Sequence, residues 1–149
     1  MRIALYQPEI AGNVGAILRL AACMGIGVDI IEPTGFVFSD ARMKRAGMDY
    51  IGQVKMLRHQ SRNAFFEQLD ARLILLTTKG VTSLYDMSFQ ANDVLLFGQE
   101  SCGVPDDVAA KCAARVRIPI VPETRSLNLS VAAGIALSEA LRQTAGLPG

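Results

Sequence analysis

The chain has 149 residues, with 15 Lys and Arg against 14 Asp and Glu, a net charge of +1. Half of its residues are hydrophobic and only 19% are charged, which excludes a disordered chain, and the length suits a single domain over residues 1–149. The longest stretch without a charge, Ser126 to Ser138, has 13 residues where a membrane span needs about 20, so the mean hydropathy of +0.28 is read as a buried subunit interface. Ile3–Tyr6 reads as a first strand. Asn13 is expected to cap a helix whose apolar positions Ile17, Leu20, Ala21 and Met24 recur at helical spacing, with Gly25 as its stop. Val28–Ile31 reads as a second strand. Asp40 is expected to cap a short helix ending near Gly47, and Val54–Leu57 to form a third, weaker strand. Ser61 caps a helix running towards Leu69. Leu73–Thr77 and Val94–Phe97 are continuous apolar runs, the pattern of central parallel strands buried on both faces. Pro105 suits the first turn of a helix, with Asp106 and Asp107 favourable against its dipole. Val116–Ile118 is a last strand, and a last helix covers roughly 128–143. Strands alternating with helices predict an α/β chain with a mostly parallel sheet and helices on both faces.

Several chemistries lack their residues. Gly25-Ile26-Gly27 is followed by Ile30 where a dinucleotide-binding loop needs a third glycine, no Gly-Lys dipeptide offers a phosphate loop, and no G-x-S-x-G elbow is present. The one histidine, His59, and the three cysteines Cys23, Cys102 and Cys112 lack metal-ligand spacing, so no metal is expected. An odd number of cysteines with no close pair suits a reducing cytoplasm. Met1-Arg2-Ile3-Ala4 enters a strand-like run at once, so no signal or transit peptide is expected. A cysteine hydrolase using Cys102 with His59 is one alternative, which requires the fold to join residues more than forty positions apart.

The remaining polar residues gather in three segments. The first, from Pro8 to Arg19, has an Asn13-Val14-Gly15 turn entering a helix and leaves Arg19 among apolar residues. The second, Leu95 to Pro105, is a buried strand opening into Gly98-Gln99-Glu100-Ser101-Cys102-Gly103, the kind of loop at which open α/β sheets bind ligands. Its glycines would let backbone approach a ligand closely. The third, Ile118 to Ser130, is stiffened by Pro119 and Pro122 and gathers Ser126, Asn128 and Ser130 around a helix start. Taken singly, each also reads as ordinary turn and cap chemistry.

Together, in this order, the segments resemble the SPOUT-class RNA ribose 2′-O-methyltransferases, and within that class the small tRNA wobble-nucleotide (cytidine/uridine 34) enzymes. The similarity covers essentially the whole chain. It rests on Leu5-Tyr6-Gln7-Pro8-Glu9-Ile10, Ile31-Glu32-Pro33, Arg45-Ala46-Gly47-Met48-Asp49-Tyr50, Leu76-Thr77-Thr78-Lys79-Gly80 and, most specifically, Arg125-Ser126-Leu127-Asn128-Leu129-Ser130. The resemblance implies a SPOUT fold with a carboxyl-terminal trefoil knot, an S-adenosylmethionine cofactor, a tRNA substrate and a homodimer whose site draws on both chains. It implies that Leu76, Gly98, Ile118 and Ser126 line the cofactor pocket and that Asn13, Arg19, Glu100 and Asn128 surround the chemistry. Arg19 is often assigned the role of base in this class. A guanidinium is effectively always protonated, so stabilising a developing alkoxide or holding a neighbouring phosphate suits it better. Cys102 stands where relatives often carry arginine, and Ser138 where they often carry tyrosine. Methylation at another tRNA or rRNA site, or a non-catalytic RNA-binding dimer of the same fold, are the alternatives within the class. Between Arg42 and Arg62 lie six basic residues against one acid, Asp49. Arg42, Lys44 and Arg45 are therefore expected to contact RNA phosphates.

Overall fold

The structure is a computed structural model that describes residues 1–45 and 51–149, with Asp40, Met43, Lys44 and Ile51 described by their backbone alone. Among the described residues seven strands form one sheet: β1 (Arg2–Tyr6), β2 (Gly27–Ile31), β3 (Met56–His59), β4 (Leu73–Leu76), β5 (Thr82–Ser83), β6 (Val94–Phe97) and β7 (Ala114–Arg117). Their order is β3-β2-β1-β6-β4-β7-β5, and every pairing is parallel. Five α-helices among the described residues accompany them: α1 (Ala11–Met24), α2 (Asp40–Arg45), α3 (Arg62–Gln68), α4 (Asp106–Ala110) and α5 (Leu129–Gln143).

Side chains alternate across a strand, so successive residues of β6 belong to different cores. Leu95 and Phe97 pack with Ile3, Leu5, Ile17, Leu18, Ala136 and Leu137 beneath α1 and α5. Val94 and Leu96 pack with Ala4, Leu75, Phe65, Val108 and Ala109 beneath α3 and α4. This two-sided cover is why β4 and β6 read as unbroken apolar runs. No helix among the described residues is long and apolar enough to cross a membrane.

Several element ends match their sequence signals. Gly25, at φ 67°, closes α1 in the left-handed conformation, its N–H reaching the Ala21 and Ala22 carbonyls. Ser61 Oγ accepts from the Ala64 N–H at 3.1 Å. Asn128 caps α5 by accepting from the N–H groups of Ser130 and Val131. Other expectations need correction. Helix α1 begins at Ala11 behind Ile10, without a side-chain cap, so Asn13 is inside its first turn and its amide is used elsewhere. Helix α2 begins at Asp40 itself, and Ser39 Oγ before it accepts from the Arg42 N–H at 3.3 Å; the Asp40 side chain and Gly47 lie outside what is described. Strand β3 begins at Met56, because Val54 is buried in the core just before the strand rather than within it. Strand β7 begins at Ala114 and carries exposed Arg115 and Arg117 around buried Val116. The two-residue β5 beside it has no apolar run to announce it.

Candidate functional site

Parallel strands deliver their carboxyl ends, and the loops that follow, to one edge of the sheet. The loops after β4, β6 and β7 open there into a cleft of about 650 Å³, with Ile10 and Asn13 from the start of α1 on one side. Open α/β sheets bind ligands at this edge.

Hydrogen bonds draw the three sequence segments together. The Glu100 carboxylate accepts from the Glu9 N–H at 2.9 Å, the Ile10 N–H at 3.3 Å and Asn13 Nδ2 at 3.3 Å. Asn13 Oδ1 in turn accepts from Asn128 Nδ2 at 3.0 Å. Asn128 Oδ1 accepts from the Ser130 hydroxyl at 2.6 Å and its N–H at 2.9 Å, which ties the chain of bonds to the start of α5. A second bond set runs the other way: the Glu9 carboxylate accepts from the Ser101 N–H at 2.9 Å and its hydroxyl at 2.7 Å. Those Ser101 bonds hold the Glu9 carboxyl below its ordinary pKa. Asn13 is 8% exposed, so its pairing is enforced by burial.

Leu76, Gly98, Ile118 and Ser126 all line the cleft, as do Asn13, Glu100 and Asn128. Leu76 and Ile118 supply apolar faces, while the adjacent loops supply polar backbone. The loop after β6 is closed on itself by a reciprocal pair of backbone bonds between Gln99 and Gly103, both 2.9 Å. A Cβ on Gly98 would lie 2.5 Å from the Gly103 carbonyl carbon, so glycine is needed there for the loop's own closure and not only for a ligand's approach. Gly103 itself has φ +69°, a conformation other residues rarely adopt.

Arg19 is exposed on α1 and is not among the cleft-lining residues of its own chain. Six residues separate it from Asn13, about 240° around the helix, so the two point to different sides. The basic segment divides as well. Arg58 pairs with Glu32 and sits 4.4 Å over the Phe38 ring, and Arg62 lies 2.9 Å from Asp107. Arg42 and Arg45 are exposed on α2, whereas the Lys44 side chain lies outside what is described. The segment before α2 packs against Pro8 and Glu9, ahead of the cleft-lining Ile10: the Gly35 N–H donates to the Pro8 carbonyl at 2.9 Å, and a Cβ on Gly35 would sit 2.9 Å from Glu9 Cα.

The hydrolase alternative has no geometry behind it. His59 is buried with Nε2 2.7 Å from Asp29 Oδ1 and its ring edge-on to Phe65, while Cys102 Sγ donates to Gln99 Oε1 at 2.8 Å. Burial pushes the Cys112 thiol up to about 11. Among the described residues, no group of three or more His, Cys, Asp or Glu could hold a metal ion. Sequence reasoning missed Glu9, whose pairing with Ser101 spans 92 positions, and the cleft-lining Lys79, Arg115 and Arg125. Lys79 and Arg125 stand inside motif runs already singled out; Arg115 was hidden by the strand's misplaced start.

The SpoU rRNA Methylase family matches residues 1–138. A curated tRNA (cytidine(34)-2′-O)-methyltransferase of Beijerinckia indica is 50% identical over 148 residues, covering 97% of this chain and 92% of the relative. A solved structure concerned with the 2-OH methylation of C/U34 on tRNA superposes with a TM-score of 0.90 at 44% identity, covering 95% of this chain and 94% of that one. An AdoMet-bound rRNA methyltransferase from Sinorhizobium meliloti superposes at 0.85 with 29% identity, over 95% of this chain and 55% of that one.

Proposed function

The chain belongs to the SpoU rRNA methylase family, and we propose that it transfers a methyl group from S-adenosylmethionine to the ribose 2′-hydroxyl of nucleotide 34, cytidine or uridine, in tRNA. The observation that carries this reading is the hydrogen-bonded union of Asn13, Glu100 and Asn128 on one wall of a cleft lined by Leu76, Gly98, Ile118 and Ser126.

The cleft fits the cofactor on its own terms. Its volume lies in the range of ligand pockets, about 300–1,000 Å³, with apolar side chains for a purine face and loop backbone for its edge. Bound there, S-adenosylmethionine would supply an electrophilic methyl carbon on a sulfonium. The protein's share of the work is alignment and charge. Holding a ribose oxygen in line with that carbon is worth several kcal/mol of barrier, roughly up to 7–11 in well-oriented systems. Asn13 and Asn128 present polar groups whose orientation is fixed from both ends, by Glu100 and by the α5 cap. Glu100 accepts three N–H donors, which uses most of a carboxylate's four acceptor positions and makes it an anchor of the wall. Arg19, permanently cationic, would stabilise the developing alkoxide from the partner chain of a homodimer, which agrees with its place outside its own cleft. Arg42, Lys44 and Arg45 would hold tRNA phosphates next to the cleft, through the contact between the 33–36 segment and Glu9. A knotted carboxyl-terminal part, within one catalytic domain acting in the cytoplasm, belongs to the same reading through the family resemblance.

Incubating the purified protein with bulk tRNA and labelled methyl donor, followed by nuclease mapping, tests the reading. The label is expected on one ribose, at position 34. Because the family model is named for rRNA, an rRNA arm belongs in the same assay. Label on rRNA alone would replace tRNA as the substrate, and cofactor binding without transfer to either RNA would favour the non-catalytic dimer.

A further inference from the structure

The cleft lining carries three cations from three separate segments. Lys79 follows β4, Arg115 lies on β7 and Arg125 lies in the loop after β7; all three are exposed side chains lining the cleft. The cleft-lining acids are Glu100, which is bonded to three N–H donors, and Asp106, in the first turn of α4. The neighbouring Arg117 is used differently, donating to the Gly80 and Val81 carbonyls at 3.2 and 2.8 Å.

Resting on the methyltransferase reading above, we propose that Lys79, Arg115 and Arg125 form an anion subsite inside the cleft for the phosphodiesters of the RNA strand flanking the target ribose, one phosphate to each cation, distinct from the outer basic segment on α2. The charge of the cofactor argues for this occupant. A sulfonium, an ammonium and a carboxylate sum to +1, so three cations beside it are repulsive overall. Only a polyanion brings enough negative charge to balance both. The subsite therefore favours RNA and mildly disfavours cofactor bound alone, and it links entry of one to retention of the other.

The test measures two affinities of the whole protein carrying Lys79→Gln, Arg115→Gln and Arg125→Gln together. Each neutralised phosphate contact contributes about 0.7 to the salt slope of single-stranded RNA binding, so the slope of log K for tRNA against log salt is expected to flatten by about two units. By calorimetry without RNA, affinity for S-adenosylhomocysteine is expected to stay level, since that product lacks the sulfonium charge. Affinity for S-adenosylmethionine is expected to rise roughly two- to threefold, as a nearby like charge in screened solvent allows. Lys111→Gln, which removes one positive charge from a position outside the cleft, is expected to leave both measurements unchanged. If the triple variant melts below the parent, the loop pair Lys79→Gln with Arg125→Gln carries the same test, with a flattening of about 1.4. An unchanged salt slope overturns the proposal. So does a tenfold or greater loss of affinity for both cofactor forms, which would assign the cations to the cofactor carboxylate. If the parent protein binds neither cofactor form, the methyltransferase reading fails, and the salt slope still decides the subsite.

Discussion

Asn13 illustrates how one side chain decides between a structural and a functional role. Its position before an apolar helix suggests a cap, yet its amide faces the cleft, donating to Glu100 and accepting from Asn128. Each such bond is worth about 1 kcal/mol net, so Asn13→Ala is expected to lower stability by only about 1–2 kcal/mol. Methyl transfer is expected to fall far more, by about 10²-fold, because both neighbours lose their orientation. Asn13→Asp would keep an oxygen for Asn128 but set a second carboxylate against Glu100, and a comparable loss of rate is expected. Single-turnover transfer and thermal melts on the two variants separate the effects. Rates within threefold of the parent would show that the amide is a packing group. Arg2, Asp29 and His59 are the contrasting case: a buried carboxylate held by Arg2 Nε at 2.9 Å and by His59, away from the cleft and concerned with joining β1, β2 and β3.

At the level of elements, the loop after β6 is the most constrained piece of the site. Gly98→Ala places a methyl 2.5 Å from the Gly103 carbonyl carbon, which must break the Gln99–Gly103 bridge or shift β6. A loss of at least tenfold in cofactor affinity is expected by calorimetry, with about 1–3 kcal/mol of stability. Gly12→Ala, with nothing within 4 Å and a helical position, is expected to bind cofactor normally. Normal binding by Gly98→Ala would remove this loop from the pocket. Helix α5 offers a pH-dependent case. Bonds from Arg142 and then Gln143 hold Glu139 at about 2, below the ordinary 4.5, and Gln143 Oε1 accepts from the Phe89 N–H at 3.0 Å. A depressed carboxyl stabilises the fold fully above about pH 4.5 and loses that contribution as pH falls towards 2. The Glu139 carboxyl carbon, followed by NMR, is expected to titrate near 2; a midpoint at 4.5 would show that the trio does not persist in solution. Elements with apolar periodicity and local caps, such as β4, β6, α3 and α5, were readable from sequence because their signals are local. The starts of β3 and β7 lie two residues from their expected places because neither strand has a continuous apolar run: β3 exposes Leu57 and Arg58, and β7 exposes Arg115 and Arg117. That Leu76, Gly98, Ile118 and Ser126 share one cleft with the bonded Asn13–Glu100–Asn128 set was legible through motif resemblance, whereas the Glu9–Ser101 pairing was not. That pairing depends on which strands the sheet brings side by side, and β1 and β6 are far apart in sequence.

For the whole molecule, the question is how a nearly neutral chain acts on a polyanion. Arg19 lies outside the cleft of its own chain, so its proposed place at the developing alkoxide requires a second copy. Sedimentation at micromolar concentration is expected to give a dimer, and a monomer would contradict the account. Arg19→Ala is expected to lower turnover about 10²–10³-fold, the usual worth of a donor aimed at a developing oxyanion, with cofactor affinity unchanged. The most direct measurement of the central claim uses a tRNA with a single 2′-deoxynucleotide at position 34, compared with the all-ribose tRNA and with one carrying the substitution at a neighbouring position. The all-ribose tRNA and the neighbour-substituted control are expected to accept one methyl each and the 34-deoxy tRNA none, although it still binds. Methyl transfer to the 34-deoxy tRNA at the control rate would contradict the assignment of the ribose hydroxyl at position 34 as the acceptor.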